Sequence, residues 1–483
     1  MDFLVSLNDW LWDPLVWFAL GFGLVLTVLT RAVQVRRLPD MLRQVVSKER
    51  SEAGVSSFQA LMLTLSSRIG VGNIAGVATA IAAGGPGALF WMAVMAFLGG
   101  ATAFVESTLA QIYKSKADGT FRGGIPYYIE KGLRQKWLAV VAAVTALSLY
   151  AFLAPGVQSN AISASFDSAM GISPWITGTV VVAVLGYIIF GQRKRIIAVA
   201  DTLVPVMAVG YILAALLVLV VNITEVPAVF SLVMGSAFGA DSVFGGIVGA
   251  AIAWGVRRAL FSNVAGVGEG TYGSAAAEVS HPAKQGLVQA FSIYIDTLFV
   301  CMATGFMILV TGNYNVTTEA GEKIVTHVPG VEAGPAYTQA AFDSVFSGAG
   351  PYFVAIALAL FAFTTLVAFF FIADTSLTYL TRGSRNAALT HLLRVAMLGM
   401  VFYGAVESAD MMWAIGDVGY ASLAWVNMLC LIFLAKPALI ALRDYEAQLR
   451  LGVDPVFDPV KLGIRNADYW AERATSESDG AKR

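Results

Sequence analysis

Histidine, cysteine and charge are what this sequence uses least. Three histidines, His281, His327 and His391, lie far apart and close to expected loops. No cluster of them can hold a metal or serve as the base of a nucleophilic pair, so a membrane enzyme finds no machinery here. The two cysteines, Cys301 and Cys430, both fall in apolar runs, which argues against a disulfide framework and against a metal site. No Walker-type glycine loop occurs, so ATP is not the energy source. Charged residues make up 13% of the 483 residues against 57% hydrophobic, with a mean hydropathy of +0.71. A soluble domain carries about 25% charge, and the chain reads instead as a polytopic membrane protein. No Lys or Arg precedes the first apolar run in MDFLVSLNDWLWDPLVW, so this stretch is an uncleaved first helix and not a secretory signal peptide.

Counting apolar stretches of about 20 residues gives an all-α protein with eleven transmembrane helices, at 14–31, 55–82, 86–112, 137–166, 175–190, 195–221, 242–265, 286–312, 350–381, 390–406 and 410–435. The longest connection is 313–349, and 436–483 reads as a polar tail. With the N-terminus outside, 27 of the 31 Lys and Arg residues fall in loops on the cytoplasmic side or in the tail, against a lone Lys323 outside. The positive-inside rule selects this orientation. Arg68, Arg257 and Arg258 remain within or beside helices, where a cation needs a partner or water.

Two of the helices contain glycine pairs. The second holds Gly70-Val71-Gly72-Asn73 near its middle, and the seventh ends in Ser262-Asn263-Val264-Ala265-Gly266-Val267-Gly268. They stand five helices apart and start on opposite sides, as an inverted repeat of five plus five helices requires, with the first helix outside the repeat. The halves would be 55–221 and 242–435, forming one transporter domain over 1–435 with 436–483 as a cytoplasmic tail. Unwinding at a glycine pair exposes backbone N–H and C=O groups that hydrocarbon cannot satisfy, and a site for a charged ligand and an ion uses them. The plain alternative is close helix packing of the small-xxx-small kind. The matched positions in the two halves favour the break.

The run RIGVGNIAGVATAIAAGGPGALFW, with FVESTLAQIY, RRALFSNVAG, HPAKQGLVQAFSIYIDTLFVCMATGFMILVTG and FAFTTL further on, resembles the alanine or glycine:cation symporter family. The likeness runs from the first helix to the last. It implies sodium-coupled uptake of a small neutral amino acid, on the inverted-repeat fold shared with LeuT-type transporters, in a bacterial-type inner membrane. Sodium is then the coupling ion with no organic cofactor. The partners are the amino acid, sodium and the lipid bilayer, with no nucleic acid and no obligate protein partner.

Carried over residue by residue, Gly70, Gly72 and Asn73 match the family's first break, whose N–H groups would face the substrate carboxylate. Val71 stands where the family has Thr. Gln158, Ser159 and Asn160 match a polar run in the fourth helix, with Gln158 and Asn160 placed against the substrate. Phe261, Ser262 and Asn263 match in the seventh helix, where Val264 replaces the family's Glu and Glu269 appears downstream. Thr364 and Thr365 match the hydroxyl pair of the ninth helix and would ligate sodium, with Ser66, Ile69 and Phe361 completing the shell. Thr365 would also reach the substrate. The alternative is that each Thr bonds back to its own helix. Phe369 stands where Trp is expected at the pocket, and Asp374 where Glu is expected.

Arg68 could close a gate with Asp374 or with Glu106, or form a permanent structural pair. Asp296 in IYIDTLF reads as a capped structural carboxylate, with a proton relay as the second reading. Three functions compete. The first is a sodium-coupled carrier working by alternating access. The second is a proton-coupled or divergent-substrate carrier of the same fold. The third is a channel, since broken helices also build selectivity filters.

Overall fold

The computed structural model describes residues 2–480 apart from 48–50, 52, 118, 192, 319 and 384–385. Helices dominate, as hydrocarbon demands of a backbone that must satisfy its own hydrogen bonds. The principal ones are α1 (Asp2–Leu29), α2 (Ser57–Arg68), α3 (Val77–Gly84), α4 (Ala88–Ile112), α5 (Lys136–Ser148), α6 (Ala154–Met170), α7 (Pro174–Ile189), α8 (Arg193–Val221), α9 (Val248–Asn263), α10 (Gly270–Ala276), α11 (Pro282–Ile293), α12 (Met302–Val310), α13 (Gly350–Leu380), α14 (Ala387–Val406) and α15 (Ala409–Arg450). Two short antiparallel hairpins, Ser115–Ala117 with Thr120–Arg122 and Asn315–Thr317 with Lys323–Thr326, punctuate the loops.

Among the described residues, eight helices are long and apolar enough to cross a membrane, and a ninth span results when α2 and α3 are taken together across their 56° bend. The expected segments 175–190 and 242–265 hold helices of only 16 residues each. The first helix starts twelve residues earlier than hydropathy suggested, because Trp12 and Asn8 anchor it to α15. Their side chains donate to Asp417 O at 3.1 Å and Ala414 O at 3.0 Å. α2 opens with a capping box in which Ser56 and Gln59 satisfy each other's backbone N–H groups.

Among the described residues, four π-helical segments interrupt the bundle, at Gly72–Gly76, Ile129–Leu133, Leu149–Leu153 and Tyr294–Cys301. Such segments widen a helix by one residue per turn and concentrate at functional sites. The first and the last of them lie against each other in the core, and both carry residues of the site.

The polar tail packs onto the rest of the chain. α15 continues past 435 to Arg450 with Pro437 inside it, and the chain then folds back beneath the bundle. Phe457 N–H donates to Ser280 O at 3.0 Å, Trp470 Nε1 to Gln111 O at 2.8 Å, and Asn466 Nδ2 to Lys131 O at 2.7 Å. Lys284 pairs with Asp454 at 2.9 Å and Arg473 with Glu278 at 2.8 Å. His281 caps α11 by accepting from Ala283 N–H at 3.1 Å through Nδ1, and its Nε2 faces Asp444 at 3.3 Å. Burial holds this imidazole below its ordinary pKa, so it is neutral with its proton on Nε2, where Asp444 accepts it.

Trp470 is 1% exposed and anchors this underside. Trp470→Ala should cost the tail roughly 3–5 kcal/mol of local stability. Limited proteolysis of the detergent-purified protein should then cut within 451–480 while the transmembrane helices stay intact; equal protection of variant and wild type would show that the docking does not depend on this ring.

Candidate functional site

Two unwound segments meet in the middle of the bundle. At the first, α2 ends at Arg68, Ile69 is extended (φ −76°, ψ 92°), and helix resumes at the π segment. Two of the freed backbone donors are capped by amide oxygens. Gly70 N–H donates to Asn73 Oδ1 at 2.9 Å, and Val71 N–H to Gln158 Oε1 at 3.2 Å. Glycine is required here for approach as much as for bending. A Cβ on Gly70 would lie 2.6 Å from Thr365 Oγ1, and one on Gly72 would lie 3.1 Å from Ser262 Cα. α13 and α9 therefore close directly onto the broken backbone.

The second unwound segment follows α9. Val264 sits in the left-handed region (φ 49°, ψ 26°), which a β-branched residue enters only under strain. Asn263 Oδ1 accepts from Ala265 N–H at 3.0 Å, so each break carries an Asn that caps its own backbone. Gly266 is held from both sides, its N–H donating to Glu106 Oε2 at 3.2 Å and its carbonyl accepting from Asn427 Nδ2 at 2.9 Å. Asn427 Nδ2 also reaches Glu106 Oε2 at 3.1 Å, and Tyr128 donates its hydroxyl to Asn427 Oδ1.

Asp296 joins the two breaks. Its carboxylate accepts from Asn73 Nδ2 at 2.7 Å on one side and from Ser262 Oγ at 2.9 Å on the other, and Thr297 Oγ1 donates to it at 2.7 Å. Asn263 Nδ2 extends the network to Thr297 Oγ1 at 3.3 Å. Charge-assisted hydrogen bonds of this kind are about twice as strong as neutral ones. The reading of Asp296 as a capped carboxylate holds, with the addition that its caps come from both broken helices.

The two threonines of α13 separate in role. Thr365 Oγ1 donates to Phe361 O at 3.0 Å and lies 3.4 Å from Ile69 O, across the gap to the first break. Thr364 Oγ1 bonds back to Phe361 O at 2.9 Å and otherwise faces Met207 Sδ. Ser66 Oγ likewise bonds back, to Leu63 O at 2.8 Å. All three hydroxyls thus bond back to their own helices, and that of Thr365 in addition comes within 3.4 Å of Ile69 O, so that oxygens of Thr365, Phe361 and Ile69 converge.

Other expected residues are distributed unevenly. Gln158 touches the break, but Asn160, two positions on and hence on another helix face, donates to Gly404 O at 3.1 Å and Glu407 O at 2.6 Å. Phe369 is buried against Tyr150, with ring centroids 5.2 Å apart. The pairing of Arg68 with Asp374 does not form. Asp374 is held by Arg122 at 3.0 Å, and Arg68 turns to Ser292 Oγ and to Gln289 O at 3.3 Å. Nor does Arg68 contact Glu106 as an ion pair among the described residues; Gly266 and Asn427 donate to Glu106 Oε2, and Oε1 has no hydrogen-bond partner.

A cavity of about 1130 Å³ is lined by Trp254, Arg258, Trp413, Asp417 and residues between Asn315 and Ala333. Its floor is a bidentate pair, Arg258 to Asp417 at 3.2 and 3.1 Å, with the guanidinium 4.4 Å from the Trp413 ring. Beneath it Phe261 packs between Trp413 and Tyr420 at 4.8 and 4.6 Å, and reaches Gly72. Arg257 finds Asp9 at 3.8 Å, so Arg257 and Arg258 each meet a carboxylate, while Nε and Nη2 of Arg68 are buried without a hydrogen-bond partner. Asp417 and Asn427 escaped sequence reasoning although each is a polar residue inside an apolar run, which is itself the signal that would have found them.

The profile of the sodium:alanine symporter family matches residues 1–459. A putative sodium/proton-dependent alanine carrier, YrbD of Bacillus subtilis, is 56% identical over 479 residues, covering 99% of both chains. The sodium/proton-dependent alanine carrier of Bacillus sp. PS3 is 52% identical across 89% of this chain and 97% of its own. The sodium/alanine symporter AgcS of Methanococcus maripaludis is 37% identical across 90% and 95%. Broken helices joined through a buried carboxylate, in a multi-pass membrane chain matched along nearly its whole length, thus have a name: the chain belongs to the sodium:alanine symporter family.

Proposed function

We propose that this protein is a secondary carrier that imports a small neutral amino acid of the alanine and glycine class together with sodium by alternating access. The convergence of two unwound helices on one buried polar cluster, sealed from a large open vestibule, carries the reading. A channel needs a continuous path, and here the Arg258–Asp417 pair and Phe261 stand across it. The opposite side is closed by Arg122–Asp374, by Tyr128 on Asn427 and by the docked tail. The fold would be the inverted repeat of 55–221 and 242–435, supported by the two Asn-capped breaks, with the vestibule outside and the tail in the cytoplasm of an inner membrane.

In this scheme the amino acid's carboxylate displaces the amide oxygens of Asn73 and Gln158 from the N–H groups of Gly70 and Val71, which are its natural partners at a broken helix. Sodium takes Thr365 Oγ1, Phe361 O and Ile69 O as hard oxygen ligands. Opening the outer side requires the Arg258–Asp417 pair to part, and opening the inner side requires the Arg122–Asp374 pair to part.

Uptake of labelled alanine into proteoliposomes tests the whole. One sodium ion crossing about 100 mV yields roughly 2.3 kcal/mol, and a tenfold gradient adds about 1.4 kcal/mol. Accumulation of roughly several hundredfold is then within reach. Uptake that neither saturates nor depends on sodium would return the protein to the channel class.

The split between the threonines gives a sharper expectation. Thr365→Val should weaken apparent sodium affinity about tenfold, the size of one charge-assisted contact, while Thr364→Val should change it less than about twofold. Equal effects in sodium titrations of uptake would show that both hydroxyls ligate or that neither does. At the substrate side, Phe369→Trp adds bulk beside Tyr150 and should narrow competition toward glycine and alanine. Each methylene lost from the pocket is worth about 0.8 kcal/mol, so serine and threonine should fall several-fold as competitors; an unchanged profile would mean that position 369 does not line the pocket.

A further inference from the structure

Glu269 sits in the second unwound segment, in GVGEGTYG, and is 1% exposed. Neither of its carboxylate oxygens has a hydrogen-bond partner. Ser67 and Tyr150 stand beside it, but the Ser67 hydroxyl donates to Thr64 O at 2.8 Å and the Tyr150 hydroxyl is itself unpartnered. The charged groups around it are Arg68 from α2, Glu106 from α4 and Asp296 from the π segment after α11, with the phenols of Tyr150 and Tyr420 facing it from the segment after α5 and from α15 respectively. Arg68 closes over the adjacent backbone, since a methyl added at Gly270 would lie 2.7 Å from Arg68 Nη2.

This makes three carboxyl groups around one guanidinium, all fully buried. Two of the three are furnished with donors. Asp296 accepts from Asn73, Ser262 and Thr297, and Glu106 accepts from Gly266 N–H and Asn427 through Oε2, with Oε1 left without a donor. Glu269 accepts none. A buried carboxylate without donors is among the costliest groups a protein can hold, and one guanidinium cannot offset three anions. A second metal cation is disfavoured by Arg68 Nη2 at the same backbone. A proton needs no coordination shell, neutralises one charge and supplies the missing donor.

We propose that Glu269 is the proton-binding group of this carrier, and that the proton it takes from the outer side travels inward with the amino acid. The inference rests on the carrier reading given above. Its place next to Ser67 and Arg68, on the last turn of α2 before the break, couples it to the same backbone that binds substrate and sodium. When the inner side opens, water reaches the carboxyl, Arg68 stabilises the carboxylate that forms, and the proton leaves to the cytoplasm. The charge balance is one proton bound from outer water and one released to inner water per cycle.

The test uses the full chain in proteoliposomes with a pH-sensitive dye in the lumen and alanine added outside, with sodium and with choline replacing it. Wild type should acidify the lumen when alanine enters. Glu269→Gln, a neutral isostere of the protonated acid, should lose this acidification and keep sodium-driven alanine uptake, and Glu269→Asp should restore acidification. Sodium-driven uptake by wild type without acidification would overturn the proposal whatever the variants do. Acidification by Glu269→Gln at the wild-type rate would overturn it as well, as would a variant whose sodium affinity falls while acidification persists, which would make the carboxylate a sodium ligand. No alanine uptake by wild type under any gradient would instead overturn the carrier reading, and this inference with it.

Discussion

The carboxylate of Asp296 is the point on which the two halves of the site depend. An unwound helix in a membrane is tolerated only where its stray N–H and C=O groups, and the side chains that cap them, find partners inside the protein. Here Asn73 caps the first break with its oxygen and hands its amide N–H to Asp296 at 2.7 Å, while Ser262, the residue before Asn263 of the second break, donates to the same carboxylate at 2.9 Å. Each break therefore stabilises the other through one anion. Removing a single neutral donor from such a buried carboxylate costs about 1.5–3 kcal/mol, so each break contributes to holding the other. An element held in this way moves as a body, which is what a carrier that rocks around a fixed site requires.

The glycines of both breaks were legible in the sequence because glycine pairs inside apolar runs are rare and costly. The bond between the breaks was not. Asp296 looked like one carboxylate in an otherwise apolar helix, and nothing in linear order says that Asn73 and Ser262 lie on either side of it. The same limit separated Gln158 from Asn160, where two residues of one polar run face opposite ways on α6. It also merged Thr364 with Thr365, since hydroxyls one residue apart look alike until the backbone shows which of them crosses to Ile69. The docking of the tail was not legible for a different reason. Its docking depends on a few groups, chiefly Trp470 and Phe457, set in a stretch whose average polarity resembles a free chain, and an average hides an anchor.

The two seals differ in chemistry. The vestibule side is closed by a bidentate Arg–Asp pair stacked on tryptophan, with a phenylalanine below it. Such a pair gains strength as water leaves and loses it as water returns, so it responds to hydration of the vestibule floor. The opposite side is closed by more material. There Arg122–Asp374 lies among helix ends that are further covered by the 451–473 segment, through hydrogen bonds to Gln111, Lys131 and Ser280. On the proposed orientation, opening on the tail side would disturb these docking contacts as well as the Arg122–Asp374 pair, which opening on the vestibule side would leave intact.

The position of Val264 fits this asymmetry. It holds a left-handed backbone that costs a β-branched residue roughly 1–3 kcal/mol, between the segment that caps Asp296 and the segment that carries Gly266, Gly268 and Glu269. The strain is retained because both flanks are pinned, by Asn263 to Ala265 N–H on one side and by Glu106 and Asn427 on Gly266 on the other. A strained residue between two anchored segments is relieved when either anchor lets go. The Glu106 and Asn427 anchor lies on the side of Tyr128 and the docked tail, so release there would both relax Val264 and move Glu269. In the proposed carrier Val264, Glu269 and the Tyr128–Asn427 contact would thus move together, while Asp296 ties the other end to the first break.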